Sequence, residues 1–119
     1  MPGKCVRGTI LDIALDPTVG HEAKKTRPCL VVQNDIGNKY SPMTIVAVVI
    51  GGEHVVKDLP INVRIPEGDG GLVKESVVMC NQLRTVDEQR FRKVYGQVSP
   101  EIMKRVDVAL RISLGLGAT

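Results

Sequence analysis

Aromatic side chains are scarce in this chain. Its 119 residues include no Trp, two Tyr (Tyr40, Tyr95) and one Phe (Phe91). Three scattered rings cannot stack several bases on one sheet face, which excludes an RNA-recognition-motif domain. Long apolar runs are missing as well: no stretch approaches the ~20 residues that a membrane helix needs. The first residues, Met1-Pro2-Gly3-Lys4, lack the apolar segment of a secretion signal, so the cytoplasm is the expected location. Cysteines are few, Cys5, Cys29 and Cys80, and form no Cys-x-x-Cys pair, which argues against a zinc knuckle or a redox motif. They read as reduced, largely buried thiols. Only Cys29, close to Arg27, invites a nucleophilic reading, and burial is the better one. The segment Glu67-Gly68-Asp69-Gly70-Gly71 is a turn rather than a phosphate loop, because no Gly-Lys-Ser/Thr follows. His21-Glu22 has Lys25 where a helical zinc motif needs a second His, and the carboxylates do not cluster. No metal and no other cofactor is expected.

The residues that are present describe one small domain, 1–119, with 43% hydrophobic content and room for one core. Net charge is +3, compatible with RNA or an acidic partner and proof of neither. The cations gather in two places: Lys24, Lys25 and Arg27, then Arg84, Arg90, Arg92 and Lys93. Each cluster also reads as a plain solvated face. Leu11, Ile13 and Leu15 alternate as in a strand. Asp16 to Thr26 follows as a loop, longer than most connections and therefore of functional interest. Further strands are expected at 29–33, 44–50, 61–65, 76–82 and 92–98. The period then changes. Ser99 is a good N-cap, Pro100 suits the first helical position, and Ile102, Val106, Ala109, Leu110 and Leu114 recur at helical spacing before Gly115. A small, strongly curved, mainly β barrel with one C-terminal amphipathic helix is the expected fold.

Arg27 stands where the polar loop meets an apolar strand. A guanidinium there is exposed and aimed, as a fixed contact to phosphate must be. An arginine that merely salts a strand end is an equally good reading from spacing alone. The wording around it says more. Asp16-Pro17-Thr18-Val19-Gly20-His21-Glu22 precedes Arg27-Pro28; then come Asn34-Asp35, Ser41-Pro42, Leu59-Pro60, Ser76-Val77-Val78, Gln82-Leu83-Arg84-Thr85-Val86-Asp87 and Ile112-Ser113-Leu114. This ordered set, spread over nearly the whole chain, resembles the MazF/PemK family of toxin endoribonucleases.

The resemblance implies an SH3-like β-barrel with a C-terminal helix, a homodimer, and sequence-specific, metal-independent cleavage of single-stranded RNA. The ends left would be a 2′,3′-cyclic phosphate and a 5′-OH. It implies a cognate antitoxin protein as partner and no role at a membrane. Arg27 matches the family's catalytic arginine and Glu22 its loop glutamate. His21, beside Glu22, is a further candidate for proton transfer, and His54 could swing near the site. Thr18, Lys24, Lys25, Thr26, Asn81 and Gln82 are the expected RNA-binding residues. Two departures stand out. Ile50 occupies the position of a catalytic Thr or Ser and can neither donate nor accept a hydrogen bond. Asn81 replaces a Glu, turning a pure acceptor into a group that also donates. Ile50 keeps open a cleavage-impaired homologue that binds RNA or antitoxin. A gyrase-poison protein of similar fold is the other alternative.

Overall fold

The structure is a computed structural model describing residues 5–16, 19–22, 25–55 and 57–117. Six strands, β1 (Thr9–Ala14), β2 (Thr26–Val31), β3 (Met43–Gly51), β4 (Asn62–Ile65), β5 (Ser76–Asp87) and β6 (Phe91–Gln97), form one sheet in the order β4-β5-β3-β2-β1-β6. Every neighbouring pair is antiparallel. Two helices accompany them, α1 (Asp35–Tyr40) and α2 (Pro100–Ser113).

Both faces of the central strands are buried. Ile10, Leu30, Ala47, Val49, Ile65 and Val78 point to one side and meet Ile102, Val106 and Ala109 of α2. Leu11, Ile13, Cys29, Val31, Val46 and Val48 point to the other and pack with Val86 and Phe91. Burial on both sides explains why β2 and β3 read as continuous apolar runs instead of alternating. The sheet curves without closing, and β4 and β6 are its edges. Helix α2 lies over β4 and β5, while the short 3-10 turn Asp69–Gly71 lies against β6 and β1. The expected barrel is therefore barrel-like with a covered seam. The turn reaches β6 because it carries glycines. Gly70 has φ 69°, and a Cβ there would stand 2.7 Å from Ile10 Cδ1. Gly71 has φ 80°, and a Cβ there would collide with the Tyr95 carbonyl.

Helix α2 begins as its sequence dictates: the Ser99 hydroxyl accepts from the Ile102 N–H at 3.3 Å, and Pro100 follows. Its apolar stripe ends earlier than the spacing suggests, for Leu114 lies beyond the helix and is exposed. Helix α1 is the element that the sequence reading passes over. It has six residues and a glycine at its centre, too short for any period to show. Its capping residue Asn34 accepts from the Gly37 N–H at 2.8 Å, and the buried Asn38 accepts from the Thr44 hydroxyl at 2.6 Å. The Asn-Asp and Ser-Pro pairs thus bracket a helical turn.

Strand β5 runs five residues beyond its expected end. Its pairing with β3 jumps from Val48↔Met79 to Ala47↔Leu83, so that Cys80, Asn81 and Gln82 fall between consecutive register pairs. Such a bulge re-aims side chains and ends the alternation on which a strand is recognised.

Candidate functional site

The loop after β1 is closed at its base by the backbone. Leu15 N–H donates to the Lys25 carbonyl at 2.9 Å, and Lys25 N–H donates to Asp16 Oδ1 at 3.0 Å. Lys25 takes the left-handed conformation, φ 63°, where the chain turns back into β2. Two arginines from much later in the chain hold this base. Arg84 Nη2 donates to the Leu15 carbonyl at 3.2 Å, and Arg90 Nη1 donates to the carbonyls of Ala14 (2.8 Å) and Asp16 (2.6 Å). Arg92 turns onto the carbonyls of Gln89 and Phe91. The second basic cluster is therefore neither a uniform solvated face nor a continuous RNA patch: three of its four cations bind backbone carbonyls. Glu22 also serves the loop, its Oε1 accepting from the Val19 N–H at 2.6 Å.

Two clefts flank the end of β3. The first, about 390 Å³, is lined by His21, Glu22, Val48, Asn81, Gln82 and Arg84 among others. The β5 bulge delivers Asn81, exposed, and Gln82, half-buried, to this cleft. The second, about 370 Å³, is lined by Arg27, Ile50, Glu53, His54, Lys74, Lys93 and Tyr95 among others. Strand register explains the pairing of Arg27 with Ile50. Cys29 faces Val48 in the antiparallel pair, so Arg27, two residues before Cys29, and Ile50, two residues after Val48, lie toward the same end of the two strands and line one cleft. So the structure gathers His21, Glu22, Asn81 and Gln82 in one cleft and sets Arg27 in the neighbouring one. Lys25 and Thr26 are exposed at the loop base between loop and strand. Thr18 and Lys24 lie outside the described residues.

Lys74, Lys93 and Tyr95 are site residues that the sequence reading did not single out as such. Tyr95 donates its hydroxyl to both carboxylate oxygens of Asp12, at 3.0 and 3.1 Å. Burial, then Asp12, pushes the phenol above its ordinary pKa, so it stays protonated. Lys93 Nζ lies 4.9 Å from the centre of the Tyr95 ring. Glu53 sits 3.6 Å from Lys74 Nζ, and its own backbone N–H, then Lys74, holds its carboxyl below the usual range. Cys29 is fully buried, and burial, with Asp12 second, pushes its thiol up to about 12; burial alone takes Cys80 to about 11. A thiol so raised carries almost no thiolate near neutral pH, which removes Cys29 as a nucleophile.

The site is thus a strongly curved sheet that carries a cleft with three cations and a second, polar cleft. Residues 6–114 match the model of the PemK-like, MazF-like toxins of type II toxin–antitoxin systems, and the chain belongs to that family. It is 42% identical over 110 residues to endoribonuclease EndoA of Bacillus subtilis (strain 168), covering 92% of this chain and 94% of that one. Its fold is also that of MazF from Deinococcus radiodurans, with TM-score 0.79, 22% identity, and coverage of 94% and 97% of the two chains. A mycobacterial endoribonuclease solved in complex with its cognate antitoxin superposes with TM-score 0.78 at 20% identity, over 95% and 97% of the chains. No helix among the described residues is long and apolar enough to cross a membrane.

Proposed function

We propose that this chain is the toxin of a toxin–antitoxin pair, a sequence-specific endoribonuclease that cuts single-stranded RNA without a metal ion. The observation that carries this reading is the second cleft, where Arg27, Lys74 and Lys93 surround a space large enough for a phosphodiester. The endoribonuclease name of the Bacillus relative supports it.

The chemistry follows from the substrate. The ribose 2′-OH attacks its adjacent phosphorus, the P–O5′ bond breaks, and a 2′,3′-cyclic phosphate and a 5′-OH remain. Arg27 stabilises the charge that builds on the non-bridging oxygens. A fixed donor of this kind supplies roughly 3–4 kcal/mol of transition-state stabilisation. Arginine stays protonated in proteins, so Arg27 is not the base. Gln82 and Asn81, on the bulge, read base edges in the first cleft, with His21 and Lys25 and Thr26 of the loop base along the strand. Thr18 and Lys24, within the same stretch of sequence, are proposed to bind RNA with them. Glu22, with an oxygen engaged by the Val19 N–H, holds the loop in shape and acts on the reaction through that position. The proposed assembly is a homodimer, and the proposed partner is an antitoxin whose acidic, flexible segment covers these cationic clefts.

Ile50 favours a second reading, a homologue that binds RNA or antitoxin and cleaves poorly. A long, unstructured RNA incubated with the purified chain, with and without EDTA, beside Arg27→Ala, separates the two. Discrete cuts that survive EDTA and vanish in Arg27→Ala are expected. RNA bound and left whole supports the second reading, and DNA breaks without RNA breaks support a gyrase poison.

A further inference from the structure

Ile50 presents only hydrocarbon to its cleft, and the ribonuclease reading leaves the 2′ proton without an acceptor. We infer that His54 is that acceptor, an inference that rests on the proposed ribonuclease function.

Three observations place it there. First, His54 lines the same cleft as Arg27 and Ile50, whereas His21, the other imidazole of the chain, lines the neighbouring cleft. Second, His54 is four residues from Ile50 and sits on a 3-10 turn, Gly52–His54, that continues directly from β3. Third, that turn is fastened. Gly52 N–H donates to the Glu75 carbonyl at 3.0 Å, and Val55 N–H donates to the Gly52 carbonyl at 3.2 Å. Glu53 pairs with Lys74 at 3.6 Å, and Glu75 with Arg64 at 3.0 Å. A side chain at the end of an anchored turn keeps its aim, as a base within hydrogen-bond reach of its proton must. The charged groups around it are Glu53 on its own turn, Lys74 from the segment before β5, Arg27 from β2 and Lys93 from β6.

The step balances as follows. A ring nitrogen of His54 takes the 2′ proton as the 2′-O–P bond forms. The P–O5′ bond breaks with its electron pair on O5′, which takes a proton from solvent. The imidazolium then returns its proton to solvent. Imidazole is suited to this role because it accepts and releases protons near neutral pH.

The test is single-turnover cleavage of a labelled RNA across about pH 5 to pH 9, a span that brackets imidazole titration, by the full chain, His54→Ala, His21→Ala and Arg27→Ala. His54→Ala is expected to lose roughly 100- to 1,000-fold in rate, bind RNA as before, lose the acidic limb of the profile, and regain activity with added imidazole. Unchanged rate or profile, or failure of imidazole to rescue, overturns the assignment. Loss of the limb in His21→Ala with His54→Ala unaffected also overturns it and names the base instead. An active wild type that depends on Arg27 and ignores His54 refutes this inference alone. An inert wild type refutes the ribonuclease function as well.

Discussion

Arg27→Ala removes the guanidinium that lines the second cleft. Because Arg27 is exposed, its loss should leave stability within about 0.5 kcal/mol of wild type. Cleavage should fall by a factor of about 10²–10³, measured as initial rate on one RNA at saturating enzyme. The thiols give a second check at this scale. Cys29 and Cys80 are pushed up to about 12 and 11 by burial, so iodoacetamide near neutral pH should add to neither in the native protein. Cys5, half-buried and raised less, should be the site that modifies first. Mass spectrometry of the native and the denatured chain reads the difference. Arg27 was legible in the sequence because it stands at a loop–strand junction within a family-specific wording. Lys74, Lys93 and Tyr95 were not. They lie far along the chain, and only the order of the strands brings them beside Arg27.

At the level of elements, what was legible tracks how strongly each segment repeats. Helix α2 declares itself through its cap, its proline and its 3.6-residue stripe, and Ser99→Ala should cost about 1 kcal/mol by removing that cap, read as a lowered Tm. Helix α1 has one turn and no stripe, so Asn34-Asp35 and Ser41-Pro42 looked like punctuation. The bulge in β5 defeats a strand reading for another reason: three residues fall between consecutive register pairs with β3 and shift the phase, so 76–82 and 83–87 do not join into one alternating run. The same bulge makes a prediction about specificity. Asn81 is exposed on it and lines the first cleft. Asn81→Glu removes its donor and leaves only acceptors. Mapped cut sites should shift to a different base preference while the total rate changes little. An unchanged profile would remove Asn81 from base reading.

For the molecule as a whole, the small excess of cations counts because of where it is placed. Net charge is only +3, yet Arg27, Lys74 and Lys93 share one cleft while Arg84, Arg90 and Arg92 are engaged with backbone carbonyls. RNA binding should therefore weaken with salt in proportion to few contacts. Lys93→Ala should lower the slope of log affinity against log salt by about 0.7, whereas a lysine outside the clefts should leave that slope as it is. The seam of the sheet carries the other global prediction. Gly71→Ala forces a Cβ against the Tyr95 carbonyl from a positive-φ position, so it should cost more than about 3 kcal/mol and disturb β6, with Lys93 and Tyr95 on it. The mainly β character and the C-terminal helix could be read from periodicity. The open seam could not, because it depends on which edge strands meet and on two glycines that look like any turn. Cleavage by attack of the 2′-OH in the Arg27 cleft is the central claim, and one substrate change tests it most directly. An RNA carrying a single 2′-deoxy nucleotide on the 5′ side of its mapped cut should bind as well as the parent and stay whole at that bond. Continued cutting there would contradict the account, since the nucleophile would then come from elsewhere.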